Sequence, residues 1–222
     1  TGSGDADTLH IIDSGSGLPT FPGQAIGAHS NAAYLSETAA PLAGFTLADV
    51  SINFVGGGGV DDLEIDFAGN AAVDVGYYSD NVGAANSGVV NVAGGAAGDF
   101  RLSVEGLAPA SFHNGGGGGN LIIDATSTPG TTSLFIDDDS NAPAPLALPP
   151  AAGNGITAVW GDGGFETVQY TGYATVTVRG GTGSETVDLR AIDYDGVQTD
   201  ITLDGDNTTS ADTASDVLLV RS

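Results

Sequence analysis

The chain has 222 residues, of which 4 are basic and 28 acidic, for a formal net charge of −24, with 36 glycines and neither cysteine nor methionine. That charge sets it against nucleic acid and anionic lipid, both of which are held by Lys and Arg. The missing cysteines exclude disulfides, thiolate metal sites and a thiol nucleophile, and no apolar run reaches the ~18 residues that a membrane span needs.

Taken in chain order, GSGDAD is followed by LHIID (9–13), whose apolar residues alternate as in a strand. The stretch 18–44 interrupts the alternation and holds the helix candidate SNAAYLSETAA (30–40), with Ser30 or Asn31 placed to cap it. Short strands are then predicted at 50–55, 62–67, 72–78, 89–93, 100–106, 120–125, 133–137, 157–161, 166–170, 174–180, 185–190, 199–205 and 216–220, each bounded by Gly, Asp or Asn. NAPAPLALPPAAGNG (141–155) is rich in proline, which cannot donate to a ladder, and reads as an extended excursion or hinge.

Three stretches repeat one order of features: 42–80, 105–139 and 171–206. Each has a glycine (Gly44, Gly106, Gly172), a strand, a glycine-rich corner, an acid or amide, a second strand, a polar turn and a third strand ending in acids. Recurrence of this kind marks stacked units that cannot bury their apolar faces alone. The fold expected is all-β, an elongated β-solenoid of short strands with Gly-rich corners; a β-sandwich is the alternative. The repeats occupy 1–140 with the excursion at 18–44, and resume over 156–222, continuous with the first part.

GGTGSETVD (180–188) and GGGGVDDLE (56–64), and more loosely GDGGFETVQ (161–169), GGGGGNLII (115–123) and GSGDADTLH (2–10), resemble the RTX, or hemolysin-type, calcium-binding nonapeptide. More broadly, the units look like those of repetitive bacterial surface and S-layer-associated proteins. The resemblance implies a parallel β-roll in which glycines shape the turns and aspartates of successive turns hold calcium. Here the copies are scattered rather than tandem, and Asn120, Glu166 and Glu185 stand where the pattern wants Asp, so the copies read mainly as corners. Calcium needs six to eight oxygens. The candidate ligands are Asp61 and Asp62, the run Asp137, Asp138 and Asp139, the pair Asp193 and Asp195, and the group Asp204, Asp206 and Asp212.

No nucleophile elbow, P-loop or dinucleotide fingerprint occurs, and His10, His29 and His113 lack metal-ligand spacing. The chain reads as non-enzymatic: an acidic, secreted or cell-surface structural subunit, a processed or excised piece of a longer exported protein. It would self-associate into a filament, surface layer or matrix through exposed β-edges or solenoid ends, with LHIID (9–13) and DVLLVRS (216–222) as joining strands. The alternative is a calcium-dependent adhesin or a carbohydrate-binding module with cell-surface polysaccharide as partner, its aromatics serving as sugar platforms. Asn207-Thr208-Thr209 forms a glycosylation sequon.

Overall fold

The computed structural model describes residues 8–12, 32–36, 51–55, 62–67, 72–79, 87–94, 100–105, 109–115, 118–128, 131, 133–162, 165–181, 185–192, 199–205 and 216–221. Within them lie sixteen strands: β1 (Thr8–Ile12), β2 (Ala32–Ser36), β3 (Ser51–Val55), β4 (Asp62–Asp66), β5 (Val73–Ser79), β6 (Ser87–Gly94), β7 (Phe100–Glu105), β8 (Ala110–His113), β9 (Asn120–Asp124), β10 (Ser133–Asp138), β11 (Thr157–Gly161), β12 (Val168–Thr171), β13 (Thr175–Arg179), β14 (Thr186–Leu189), β15 (Asp200–Asp204) and β16 (Val217–Val220). They form two mixed sheets, neither closed into a barrel, in the orders β16-β14-β10-β11-β12-β8-β4-β1-β2 and β15-β13-β9-β5-β6-β7-β3. Among the described residues there is no α-helix. Within the helix expected at 30–40, the described residues Ala32–Ser36 form instead strand β2, paired in parallel register with β1. Eleven residues are too few to hold a helix by themselves, and the neighbouring edge offers backbone partners at once.

The three sequence repeats coincide with strand triplets: β3–β4–β5, β8–β9–β10 and β13–β14–β15. Each triplet crosses from one sheet to the other and back, and successive triplets begin on opposite sheets. In every triplet the glycine run falls on the first crossing, at 56–59, 115–119 and 180–183. Between triplets the chain does something the repeats do not announce. Strand β5 is laid three places beyond β3, and β6 and β7 fold back antiparallel to fill the gap. In the opposite sheet β10 is laid three places beyond β8, and β11 and β12 fill that gap in the same way. Ten of the fourteen pairings among the described residues are therefore parallel. Only β11 in the first sheet and β6 in the second run against their companions, so the outermost strands β2 and β16 share one direction, as do β3 and β15.

Alternation along each strand sends every second residue into one apolar layer between the sheets. Leu63 and Ile65 of β4, Phe112 of β8 and Ile136 of β10 meet Val75 and Tyr77 of β5, Leu121 and Ile123 of β9 and Val176 and Val178 of β13. Tyr77 and Phe112 touch across the layer with ring centroids 5.6 Å apart. Each such side chain contributes about 1.5–3 kcal/mol by leaving water.

The corners stack as tightly as the strands. Asn114, at the start of the GGGGG corner, is 1 % exposed, and its amide nitrogen donates to the Val73 carbonyl at 3.2 Å and to the Gly118 carbonyl. Its backbone N–H donates to Thr171 O, and Gly118 N–H donates to Gly172 O, both at 3.0 Å, so consecutive corners bond backbone to backbone. Gly119 (φ +78°) and Gly172 (φ +85°) lie in the left-handed region, and a Cβ on either would strike a neighbouring corner's carbonyl, that of Val73 or of Asn114. Gly172→Ala combines backbone strain with that collision and is expected to cost about 2–4 kcal/mol, read as a lowered denaturant midpoint at unchanged m-value. A Gly172→Ala variant as stable as wild type contradicts this stacking.

Candidate functional site

The open end of the two sheets is formed by β16 and β15. Its inner rows continue the core: Leu134–Val187–Leu218 and Ile136–Leu189–Val220 lie in register in the first sheet, Val176–Ile201 and Val178–Leu203 in the second. The core is dry up to Val187 and Val178, whereas Ile201 and Leu203 are only partly covered, and Leu218 and Val220 are 55 % and 70 % exposed. Val217 and Leu219 are exposed as well, so β16 is a short edge strand with all four of its aliphatic side chains at the surface. One ion pair fastens it: Arg221, just after β16, meets Asp188 of β14, which Arg190 also holds. Arg190 donates from Nε and Nη2 to Asp188 Oδ2 at 3.1 and 3.0 Å. Arg221 brings its Nε to 2.9 Å from Asp188 Oδ1, an ion pair out of line for a hydrogen bond. Asp188 is 2 % exposed, so its charge is held by these two cations. The Arg190 guanidinium also lies 4.9 Å over the Phe135 ring, which stacks on Trp160.

A second feature lies on the outer face of the first sheet. The proline-rich segment 141–156 connects the antiparallel neighbours β10 and β11 and folds over that face, leaving a cavity of about 550 Å³ lined by Glu64, Ser111, His113, Thr171 and the loop residues 153–156. The aspartates read as calcium candidates pin this loop. Asp137 Oδ1 accepts from the N–H of Asp138 and of Ala191 and from Asn141 Nδ2. Asp138 accepts from the N–H groups of Ser140 and Gly153. Asp139, fully buried, accepts from Ala151 N–H, Asn154 Nδ2 and Gln169 Nε2. Such bonds satisfy the oxygens of carboxyl groups taken out of water.

Of the other candidate ligands, Asp62 lies in β4 and Asp204 ends β15, 3.6 Å from Arg179 Nε. Asp61, Asp193, Asp195, Asp206 and Asp212 fall outside the described residues, as do His29 and Asn207. The described residues contain no group of three or more His, Cys, Asp or Glu arranged to hold a metal.

The residues that depart from the nonapeptide pattern divide by burial. Asn120 is exposed, its N–H and Nδ2 both donating to Asp74 Oδ1. Glu185 is 2 % exposed and packs on Gly180 and Gly181, where a Cβ would press on its carboxylate. Glu166 is 5 % exposed between the sheets. Ser79 Oγ donates to its Oε2 at 2.7 Å, Thr128 Oγ1 donates to Ser79 Oγ at 2.9 Å, and Oε1 has no hydrogen-bond partner. Burial raises the Glu166 pKa, an effect the Ser79 bond only partly offsets. The Tyr77 hydroxyl, buried beside this carboxylate but outside hydrogen-bond geometry, is pushed up by desolvation and then by the neighbouring negative charge. Sequence reasoning places Glu166 and Glu185 at corners but not inside the protein; their shared E-T-V continuation into a strand is the available signal. Comparison with known protein families, with characterised proteins and with solved structures finds no match for this chain.

Because its folded pKa is raised, Glu166 keeps a proton in the folded chain at pH values where the unfolded chain has lost it. It therefore favours folding at low pH and disfavours it as pH climbs through the raised value. Glu166→Gln removes this titration, so its stability relative to wild type should be smallest below pH ~4 and grow towards pH ~8. Denaturant midpoints across that range measure it, and a difference independent of pH contradicts the assignment.

Proposed function

We propose that the chain is a β-solenoid building block of an extracellular filament, surface layer or matrix, and that copies join head to tail, the β15/β16 end of one against the β2/β3 end of the next. The observation that carries this reading is the set of exposed aliphatics on β16, in register with the buried core rows. An edge strand of that kind is a template for another strand. Parallel direction supports the choice of occupant: β16 with β2, and β15 with β3, run the same way, so a second copy extends both sheets without reversing either. The contact uses two different surfaces, so it is head to tail and propagates into a filament wherever its rotation does not close a ring. Triplets alternating between two sheets, with a glycine corner at each first crossing, are what a solenoid repeat requires.

Charge sets the conditions. Copies carrying −24 each repel, and salt screens that repulsion without weakening apolar burial. Wild-type protein is expected to form longer particles at about 0.5 M NaCl than at about 0.02 M, seen by sedimentation velocity and negative-stain microscopy. The double variant Leu218→Lys/Val220→Lys alters side chains already more than half exposed, so it should melt near wild type yet remain monomeric at either salt. A wild type that stays monomeric at high salt, or a double variant that polymerises equally, contradicts the proposal.

A further inference from the structure

A second groove lies on the outer face of the other sheet, away from the open end's apolar rows, and its chemistry differs from theirs. It has a volume of about 400 Å³, within the roughly 300–1,000 Å³ usual for small-ligand sites, and is lined by Asp74, Gly76, Tyr78, Asn91, Asn120, Thr175 and Thr177 among others. These residues sit on four adjacent strands, β6, β5, β9 and β13, in register: Asn91 opposite Gly76, Gly76 opposite Ile122, and Ile122 opposite Thr177.

Gly76 explains the shape. It stands mid-strand without a left-handed φ, where glycine weakens a sheet and marks a close approach. What approaches is the ring of Tyr78, folded back along its own strand: a Cβ on Gly76 would lie 2.7 Å from Tyr78 Cε2 and 2.9 Å from its hydroxyl oxygen. The aromatic ring thus lies low on the sheet, partly exposed, as one wall of the groove. About 7 Å along β5 from Gly76, by strand rise, stands Asp74. Its Oδ1 is held by Asn120 N–H at 2.8 Å and Asn120 Nδ2 at 2.9 Å, which fixes both side chains in place. Asn91, Thr175 and Thr177 line the space between and beside them with groups that both donate and accept.

From this geometry we infer that the groove binds a neutral saccharide, a short stretch of linked pyranose rings from a surface polysaccharide. A pyranose presents an apolar C–H face, which suits the Tyr78 ring, and a rim of hydroxyls, which suits fixed carboxylate and amide groups. The lining contains no Lys or Arg, and the chain carries −24, so an anionic sugar is disfavoured on both counts. The inference is independent of head-to-tail assembly, since the groove lies on β5, β6, β9 and β13 rather than on the joining strands.

The test is affinity electrophoresis of the full chain in gels containing dextran, mannan, galactan or soluble N-acetylglucosamine polymer, with alginate as the anionic arm. Retardation by at least one neutral polymer and none by alginate is expected. Tyr78→Ala should weaken it about tenfold, whereas Tyr78→Phe, which keeps the ring face, should stay within about threefold of wild type. Should Tyr78→Ala fail to fold, Asn91→Ala and Thr177→Ala on the groove's rim take its place, each weakening retardation about threefold at unchanged melting temperature. Retardation by no neutral polymer, by alginate alone, or to the same extent in the wild type and the Tyr78→Ala or rim variants overturns the assignment.

Discussion

One apolar layer shared between two sheets is the constraint from which the rest of this architecture follows. A single strand of four to eight residues cannot bury its own apolar face. The chain therefore crosses repeatedly from one sheet to the other, and every crossing must turn through about the thickness of the layer without side chains colliding with the turn stacked beside it. Gly119 and Gly172 show what that demands: left-handed backbone, and a neighbouring carbonyl where a Cβ would be. Among the described residues the corners bond to each other through Gly118, Gly172 and the buried Asn114 amide, which gives glycine there a structural reason of its own.

The same constraint accounts for the unusual placement of acids. In a chain of net charge −24 most carboxylates do best in water, yet Asp137, Asp139 and Asp188 are nearly or fully buried. Each is compensated by hydrogen-bond donors or cations: Asp137 and Asp139 by loop N–H and amide groups, Asp188 by two arginines. Glu166 is different, because one of its oxygens has no partner and burial moves it towards the neutral form. The acids that look like a cation cluster in the sequence thus include a run that secures the proline-rich loop over the first sheet.

Much of this is legible in the residues, and the failures have physical causes. Alternation locates fourteen strands to within a residue or two, because a half-buried strand must alternate. The order of features around each glycine run identifies the triplets that cross between sheets. Strand β8 (ASFH) escapes because four residues of which three are buried carry no alternation. Strand β2 escapes because alanine-rich polar sequence favours a helix until an edge is offered to it. The antiparallel fold-backs β5–β7 and β10–β12 leave no local trace, since strand direction is set by which edge is vacant, a property of the assembled sheet. Among site residues, the loop-pinning role of Asp137–Asp139 depends on Ala151, Asn154 and Gln169, up to 30 residues away, and spacing could not reveal it.

Shared burial with parallel stacking joins the fold to the proposed assembly: the kind of edge that lets one triplet follow another is, among the described residues, left unpaired at β16. The claim beneath that continuity is that Phe112 of β8 packs across the layer on Tyr77 of β5 while β8 pairs in parallel with β12, with Phe112 opposite Tyr170. Nuclear Overhauser spectroscopy on the labelled chain tests it most directly. Cross-peaks between the rings of Tyr77 and Phe112, together with parallel-strand contacts between residues 110–113 and 168–171, are the predicted result. Antiparallel contacts joining β8 to β9 as a hairpin in one sheet would contradict it.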